Sequence, residues 1–172
     1  MRQKALLLVL VAALFSGCGY ALAGRGSFLP ASVKVIVVTP FDSRGTSRPQ
    51  VAESLRAAVI SEFLSRGKFR ITEKESEADA VLSGEILFFS VVPITYDQDS
   101  RATRDQVSIS AGVALRERAT QKLLYENRGF SFRSEFETSA DTADIFDTES
   151  DVLDELAKNF ARSLVAAILE GF

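Results

Sequence analysis

The chain has 172 residues, of which 47% are hydrophobic, and a formal net charge of −3, values that predict one domain with a buried core and no general binding to nucleic acid. It contains no histidine, one cysteine and no glycine-rich phosphate loop, which excludes histidine-based catalysis, an internal disulfide and a thiolate zinc cluster. Only carboxylates remain for catalysis, and because no pair of them stands in an apolar setting we expect no enzyme, no cofactor and no metal site.

The first part of the chain has the pattern of a secretory signal peptide. Two basic residues, Arg2 and Lys4, precede an unbroken apolar run at residues 5–15, and two small residues then precede Cys18. Positive charge, a short apolar run and small residues in this order are typical of a cleaved signal. The run is shorter than the roughly 20 apolar residues that a membrane-spanning helix needs, so we predict that residues 1–17 are removed.

The only cysteine of the chain stands at the predicted cleavage site. The stretch LFSGC, residues 14–18, resembles a bacterial lipobox, which implies that residues 1–17 are a lipoprotein signal peptide and that Cys18 receives lipid on its sulfur and its amine. Several acyl chains would hold the protein firmly on a membrane, with the glycine-rich residues 18–32 as a lipidated tether. Gly19 stands where an aspartate would resemble an inner-membrane retention signal, which favours the outer membrane. The alternative is an ordinary signal peptide with an incidental cysteine.

The next segment is predicted to form a strand, a helix and a second, shorter strand. Residues 33–39 are rich in β-branched side chains and predict a strand in the interior of a sheet. A helix is predicted near residues 48–66, because Pro49 suits its first turn, apolar residues recur at the helical period, and Gly67 suits the position after its end. Residues 68–72 follow as a short strand.

Three longer strands are predicted at residues 80–92, 106–115 and 122–136. In the second of these, the odd-numbered residues are apolar and the even-numbered residues are small and mostly polar, which predicts one buried and one exposed face. Ser108, Ser110 and Gly112 belong to the exposed row. The alternation in the third strand changes phase, which predicts a β-bulge near residues 127–129.

An acidic segment separates the last strand from a final helix near residues 150–170. The helix is predicted to begin near Thr148 or Ser150, and its apolar residues recur along one face. They are Leu153, Leu156, Ala157, Phe160, Leu164 and Ile168. The order of elements predicts a single α+β domain at residues 33–172: a two-layer sandwich of a mostly antiparallel four- to five-stranded sheet with both helices on one face.

Several stretches together resemble the lipopolysaccharide-assembly lipoprotein family, LptE-like. They are CGYALAG after the lipobox, the dipeptide LP, the strand end TPFDSRG, and the hairpin VSISAGVALRERATQKLLYENRGFSFRSEF. The resemblance implies a non-enzymatic outer-membrane lipoprotein whose domain lies in the periplasm or in the lumen of an LptD-type β-barrel, where it helps the barrel to fold and helps to insert lipopolysaccharide. The alternative is a periplasmic lipoprotein that regulates another envelope complex, such as a cell-wall synthase.

The predicted hairpin tip carries cations that suit the phosphate groups of lipopolysaccharide. The candidate contacts are Arg116, Arg118 and Lys122, followed along the chain by Arg128. Acidic residues are interleaved with them, and hairpin tips are usually charged. The sequence therefore favours the alternative, in which these residues are ordinary solvated turn charges.

Two further surfaces follow from the resemblance. Ser108, Ser110 and Gly112 are the candidate barrel-facing residues, because small side chains allow another surface to approach closely. The apolar residues 88–96 permit two interpretations: a strand in the core, or an exposed strand end that meets acyl chains or a barrel wall. The sequence favours the core.

Overall fold

Five strands and two helices form the described part of the chain. The computed structural model describes residues 28–45, 48–137 and 145–171, and of residues 145–152 it describes the backbone alone. The elements are β1 (Val35–Val38), α1 (Pro49–Ser65), β2 (Arg70–Ile71), a 3₁₀ turn (Glu75–Glu77), β3 (Ala80–Tyr96), β4 (Ala102–Glu117), β5 (Leu123–Glu137) and α2 (Ile145–Glu170). The strands form one sheet in the order β2-β1-β3-β4-β5, so the predicted α+β fold is confirmed.

The direction of the strands defines two ends of the molecule. β1 runs parallel to both β2 and β3, because α1 carries the chain back across the sheet between β1 and β2. β3, β4 and β5 are antiparallel neighbours. Ala80 pairs with both Ile36 and Glu117, so the starts of β1 and β3 and the β4–β5 turn, residues 118–122, lie together at what we call the proximal end. The β3–β4 turn, residues 97–101, lies at the distal end.

Both helices cover the same face of the sheet and share one core with it. Phe63 of α1 and Phe160 of α2 are fully buried in that core. α1 ends as predicted, with Gly67 at φ +66° and its N–H bonded to the Leu64 carbonyl at 3.0 Å. α2 begins at Ile145, earlier than predicted.

The predicted bulge in β5 is confirmed. Ala111 pairs with Phe130, and Val113 pairs with Asn127, so β5 has one residue more than β4 over this stretch. The side-chain carbonyl of Asn127 accepts the N–H of Gly129 at 3.0 Å, which closes the bulge. The extra residue shifts the alternation, and Phe130 and Phe132 therefore face the helices while Tyr125 is also buried.

The prediction that residues 88–96 belong to the core is wrong. Phe89 is the residue of this stretch that packs against the core, whereas Phe88 is 53% exposed and Tyr96 is 58% exposed. β3 continues through Pro93 to Tyr96 and extends past the short strand β1. Apolar composition alone does not distinguish this extension from a buried strand, because burial depends on what covers each face and the edge of the strand.

The packed part of the chain begins before residue 33. Leu29 is buried in the core, and the N–H of Phe28 donates to the Leu169 carbonyl at 2.7 Å. The chain therefore enters the domain at the C-terminal end of α2, which lies at the proximal end of the sheet. The predicted signal peptide and Cys18 lie outside the described residues.

Asp79 joins the start of β3 to the start of β1, and its titration should affect stability. Its carboxylate accepts the N–H groups of Lys34 and Val35, both at 2.9 Å. These two bonds, aided by the charges of Arg118 and Arg70, hold the pKa of Asp79 below its ordinary value despite partial desolvation. The stabilisation is therefore present above the unfolded-state pKa of about 3.9 and is lost as pH falls through the lower folded-state value.

We expect Asp79→Asn to unfold with a weaker pH dependence than the wild type at acidic pH. Thermal unfolding of both proteins between pH 6 and pH 2 measures this difference, and Asp99→Asn at the exposed distal turn is the matched control. Equal acid sensitivity of the wild type and Asp79→Asn would show that the two backbone bonds do not depend on the charge.

Candidate interaction surface

The face of the sheet opposite the helices is not covered by any element of the described chain. Its centre is the row predicted from the sequence, Ser108, Ser110 and Gly112 on β4. The register places serines on both neighbouring strands beside this row, because Ser108 pairs with Ser90, and Ser110 pairs with Ser131. We call this surface the open face: Glu85, Phe88, Ser90 and Val92 on β3, Ser108, Ser110 and Gly112 on β4, and Ser131, Arg133 and Glu135 on β5.

Gly112 lies in a shallow groove of the open face. The groove has a volume of about 450 Å³ and lies between Leu87 of β3 and Arg128 of β5. A Cβ atom at Gly112 would be 3.8 Å from the Arg128 carbonyl oxygen and 3.9 Å from Leu87 Cδ1, both ordinary contact distances. The fold itself therefore does not require glycine at this position, although glycine inside a strand destabilises it.

Gly84 on the adjacent strand is different. A Cβ atom there would be 2.9 Å from the ring of Phe41, which is buried in the core. Packing against the Phe41 ring therefore explains the glycine at position 84. The glycine at position 112 would be explained if the surface of another molecule approached the sheet closely there.

The outer edge of β3 is apolar and unpaired over its distal half. The N–H of Ile86 donates to the Asp42 carbonyl at 2.8 Å, and beyond that bond no strand of the described chain pairs with this edge. The exposed apolar residues of the edge are Leu87, Phe88, Val91, Val92, Ile94 and Tyr96. An open edge of this kind favours association with another surface, and Pro93, which has no N–H, limits further strand pairing.

Several charges on and around the open face are paired with one another. Arg104 lies 3.6 Å from Glu135 and 3.8 Å from Glu137, and Arg44 lies 3.3 Å from Glu85. These pairs are solvent-exposed and contribute little to stability. Each pair places opposite charges side by side, which suits broad contact with another protein better than binding of a small anion.

The basic side chains of the hairpin tip differ in how free they are to contact a ligand. The Nε of Arg118 donates to the Ala78 carbonyl at 2.6 Å, which fixes this side chain to the start of β3. Arg116 and Lys122 are exposed, and neither side chain has an ion-pair partner among the described residues. Arg128 lies in the β5 bulge beside the groove, with its Nε 3.3 Å from Glu126. The turn therefore brings Arg116, Arg118 and Lys122 together and leaves Arg128 apart.

Sequence reasoning missed the groove at Gly112 and the open edge of β3. The small-residue row indicated the open face, but no sequence signal placed Leu87 and Arg128 on either side of Gly112, because each depends on a bulge in its strand. The mismatch between the four residues of β1 and the 17 residues of β3 is the signal that marks the unpaired edge.

In the part of the chain that the structure describes, neither a metal-binding cluster nor a membrane-spanning helix is found. No group of three metal-ligating side chains is placed to hold a metal ion there. None of the helices in the same part is long and apolar enough to cross a bilayer.

The sequence matches one family model and the fold matches solved structures. Residues 33–168 match the family model described as LptE, lipopolysaccharide-assembly, and no curated protein matches the chain. The hypothetical protein CT253 from Chlamydia trachomatis has 12% identity over 81% of this chain and 97% of its own, with a TM-score of 0.53.

Two other solved structures are similar to the same extent. Protein XCC0632 from Xanthomonas campestris has 12% identity over 87% of this chain and 90% of its own, with a TM-score of 0.52. The uncharacterized lipoprotein B from Nitrosomonas europaea has 11% identity over 88% of this chain and 91% of its own, with a TM-score of 0.51. At these identities, the similarity shows the fold alone.

Proposed function

Since the chain belongs to the LptE lipopolysaccharide-assembly family, we propose that it is an outer-membrane lipoprotein that partners an LptD-type β-barrel. In this proposal it acts as plug and assembly factor during the transport of lipopolysaccharide and its insertion into the outer leaflet. The family is a non-enzymatic lipoprotein family with a role in lipopolysaccharide assembly.

The observation that supports a barrel partner best is Gly112 on the open face. The interior of a wide barrel is polar, so a plug needs a polar surface that another surface can approach closely. Ser108, Ser110 and Gly112 supply such a surface, and the fold does not require the glycine. Pairing of Arg104 with Glu135 lowers the cost of desolvating these two charges on contact.

The apolar edge of β3 adds a second point of contact. Val91, Val92 and Ile94 would be covered if this edge packed against the wall of the lumen, and burial of their exposed area would favour the complex. A closed barrel has no free strand edge of its own, so contact through side chains fits better than strand addition.

Affinity capture from detergent-solubilised outer membrane tests the proposal. A photo-crosslinking residue at Ser110 should attach to a large β-barrel protein, and the same residue at Ser163, on the exposed side of α2, should give less of that product. Capture of a cell-wall synthase without a barrel would instead support the regulatory alternative.

We expect Cys18 to carry acyl chains and residues 1–17 to be absent from the mature protein. The order of basic residues, apolar run, small residues and sole cysteine motivates this prediction. Mass spectrometry of membrane-extracted protein should show acyl additions at a new N-terminus, and Cys18→Ser should release a folded domain from the membrane. An intact Met1 or a different cleavage position would contradict it.

We propose that Arg116 and Lys122 are the stronger lipopolysaccharide phosphate contacts among the candidates, with Arg118 and Arg128 already engaged within the domain. Reversal of both charges, Arg116→Glu with Lys122→Glu, should weaken lipopolysaccharide binding several-fold. Because exposed charges are screened within about 8–10 Å at physiological ionic strength, the difference should shrink as salt is raised. Arg101→Glu at the distal turn is the control. Equal binding by the double variant would identify these residues as solvated turn charges.

A further inference from the structure

The exposed large apolar residues of the described chain fall into two groups. One is the distal edge of β3, described above. The other consists of Phe28, 67% exposed, Leu64, 50% exposed, and Leu123, 36% exposed. These three residues are far apart in sequence and have no part in the contacts proposed for the open face.

All three residues lie at the proximal end. The backbone N–H of Phe28 is hydrogen-bonded to the carbonyl of Leu169, near the C-terminus of α2. Leu64 belongs to the last turn of α1, which runs antiparallel to β1. Leu123 is the first residue of β5 and pairs with Arg116. The topology therefore gathers these exposed apolar side chains at one end of the molecule.

The chain leaves the domain toward Cys18 at this same end. Phe28 is ten positions after Cys18 along the chain, and each step spans at most about 3.5 Å, so Phe28 lies within about 35 Å of a lipid-bearing Cys18. β3 alone, with 17 residues, is about 55 Å long at about 3.3 Å per residue. A lipid anchor thus keeps the proximal end near the membrane, whereas the distal end can lie much farther away.

The charged side chains also differ between the proximal and the distal end. Lys122 is adjacent to Leu123, and Lys68 lies four residues after Leu64. Asp79, Glu117 and Glu170 lie at the same end, so acidic and basic side chains are mixed around the proximal apolar residues. Acidic side chains outnumber basic ones at the distal end of the described chain: Asp97, Asp99, Asp105, Glu135 and Glu137 against Arg101, Arg104 and Arg133. Apolar side chains with neighbouring cations suit the headgroup layer of a bilayer, and a surplus of carboxylates does not.

We propose that, in the lipoprotein without a bound barrel, the proximal end rests on the phospholipid surface of the leaflet that holds Cys18, with Phe28, Leu64 and Leu123 in its headgroup layer. This inference rests on the proposed lipid anchor but not on the barrel partner. It assigns an orientation: the β4–β5 turn lies at the membrane surface, and the β3–β4 turn points away from it.

Single tryptophans test the orientation, because the sequence contains none. Phe28→Trp, Leu64→Trp and Leu123→Trp report on the proximal end, and Ile94→Trp and Tyr96→Trp are exposed controls on the distal half of β3. The lipidated full-length proteins are placed in vesicles of phosphatidylethanolamine and phosphatidylglycerol with brominated acyl chains, without lipopolysaccharide or barrel. We expect at least twofold stronger quenching, with a blue shift, at the three proximal positions than at the two controls.

Equal quenching at both ends, stronger quenching at the distal end, or no quenching at the proximal positions would overturn the proposed orientation. All five positions are exposed, so thermal unfolding should show the same stability in each variant. Capture of the barrel by the same proteins separates the two proposals. A proximal quenching pattern without barrel capture contradicts only the partner, and barrel capture without that pattern contradicts only the orientation.

Discussion

Phe160→Ala should destabilise the domain by about 3–5 kcal/mol, a large part of the 5–15 kcal/mol that holds a typical domain folded. The Phe160 side chain is fully buried between α2 and the sheet. Its ring meets Phe130 at a centroid distance of 5.4 Å and Phe132 at 6.1 Å, both edge to face. Alanine would lose this burial, leave a cavity, and remove both ring pairs at once.

Urea unfolding followed by circular dichroism measures the loss as a lower midpoint with an unchanged slope. Arg162→Ala, on the exposed side of the same helix, is the matched control and should change the free energy of unfolding by less than about 0.5 kcal/mol. A cost below about 1 kcal/mol for Phe160→Ala would mean that α2 does not hold the sheet in solution.

The apolar stripe of α2 could be predicted from the sequence because helical periodicity reports directly on one packed face. Leu156, Phe160 and Leu164 are buried as that stripe requires. The phase change in the alternation of β5 likewise predicts the bulge at residues 127–129. One extra residue in a strand moves all the side chains after it to the opposite face, and this is the change that the sequence shows.

Periodicity could not assign residues 88–96, because their burial is decided by another part of the chain. β1 ends at Val38, and its pairing with β3 reaches only Leu82. Continuation of the chain to Asp42 extends the cover as far as Ile86. The apolar run of β3 continues past that cover along an unpaired edge, and two of its side chains, Phe88 and Val92, lie on the open face, so they are exposed despite their apolar composition.

The candidate site was predictable in part for a similar reason. Alternation along β4 places Ser108, Ser110 and Gly112 on one face, and the structure agrees. The cations of the hairpin tip differ in availability because of Arg118, whose bond to the Ala78 carbonyl joins residues that are 40 positions apart. A contact of that range has no counterpart in the local pattern from which the hairpin was predicted.

Gly112→Phe should prevent capture of the barrel while the domain remains folded. The groove around Gly112 is open, so a phenylalanine ring can stand on the open face without entering the core. It would occupy the space that a partner surface needs for close approach. We expect a loss of at least tenfold in captured barrel, which corresponds to about 1.4 kcal/mol of binding free energy.

Two alanine variants show whether Gly112 serves the fold or the partner. Gly112→Ala adds only ordinary contacts and should stabilise the domain by about 0.5–1 kcal/mol, while barrel capture stays the same or falls. Gly84→Ala should destabilise it, because the new Cβ would be 2.9 Å from the Phe41 ring. Ser163→Phe on α2 controls for a bulky surface residue. If Gly112→Phe captures the barrel as well as the wild type does, the open face is not the barrel-facing surface, and the groove has no part in the complex.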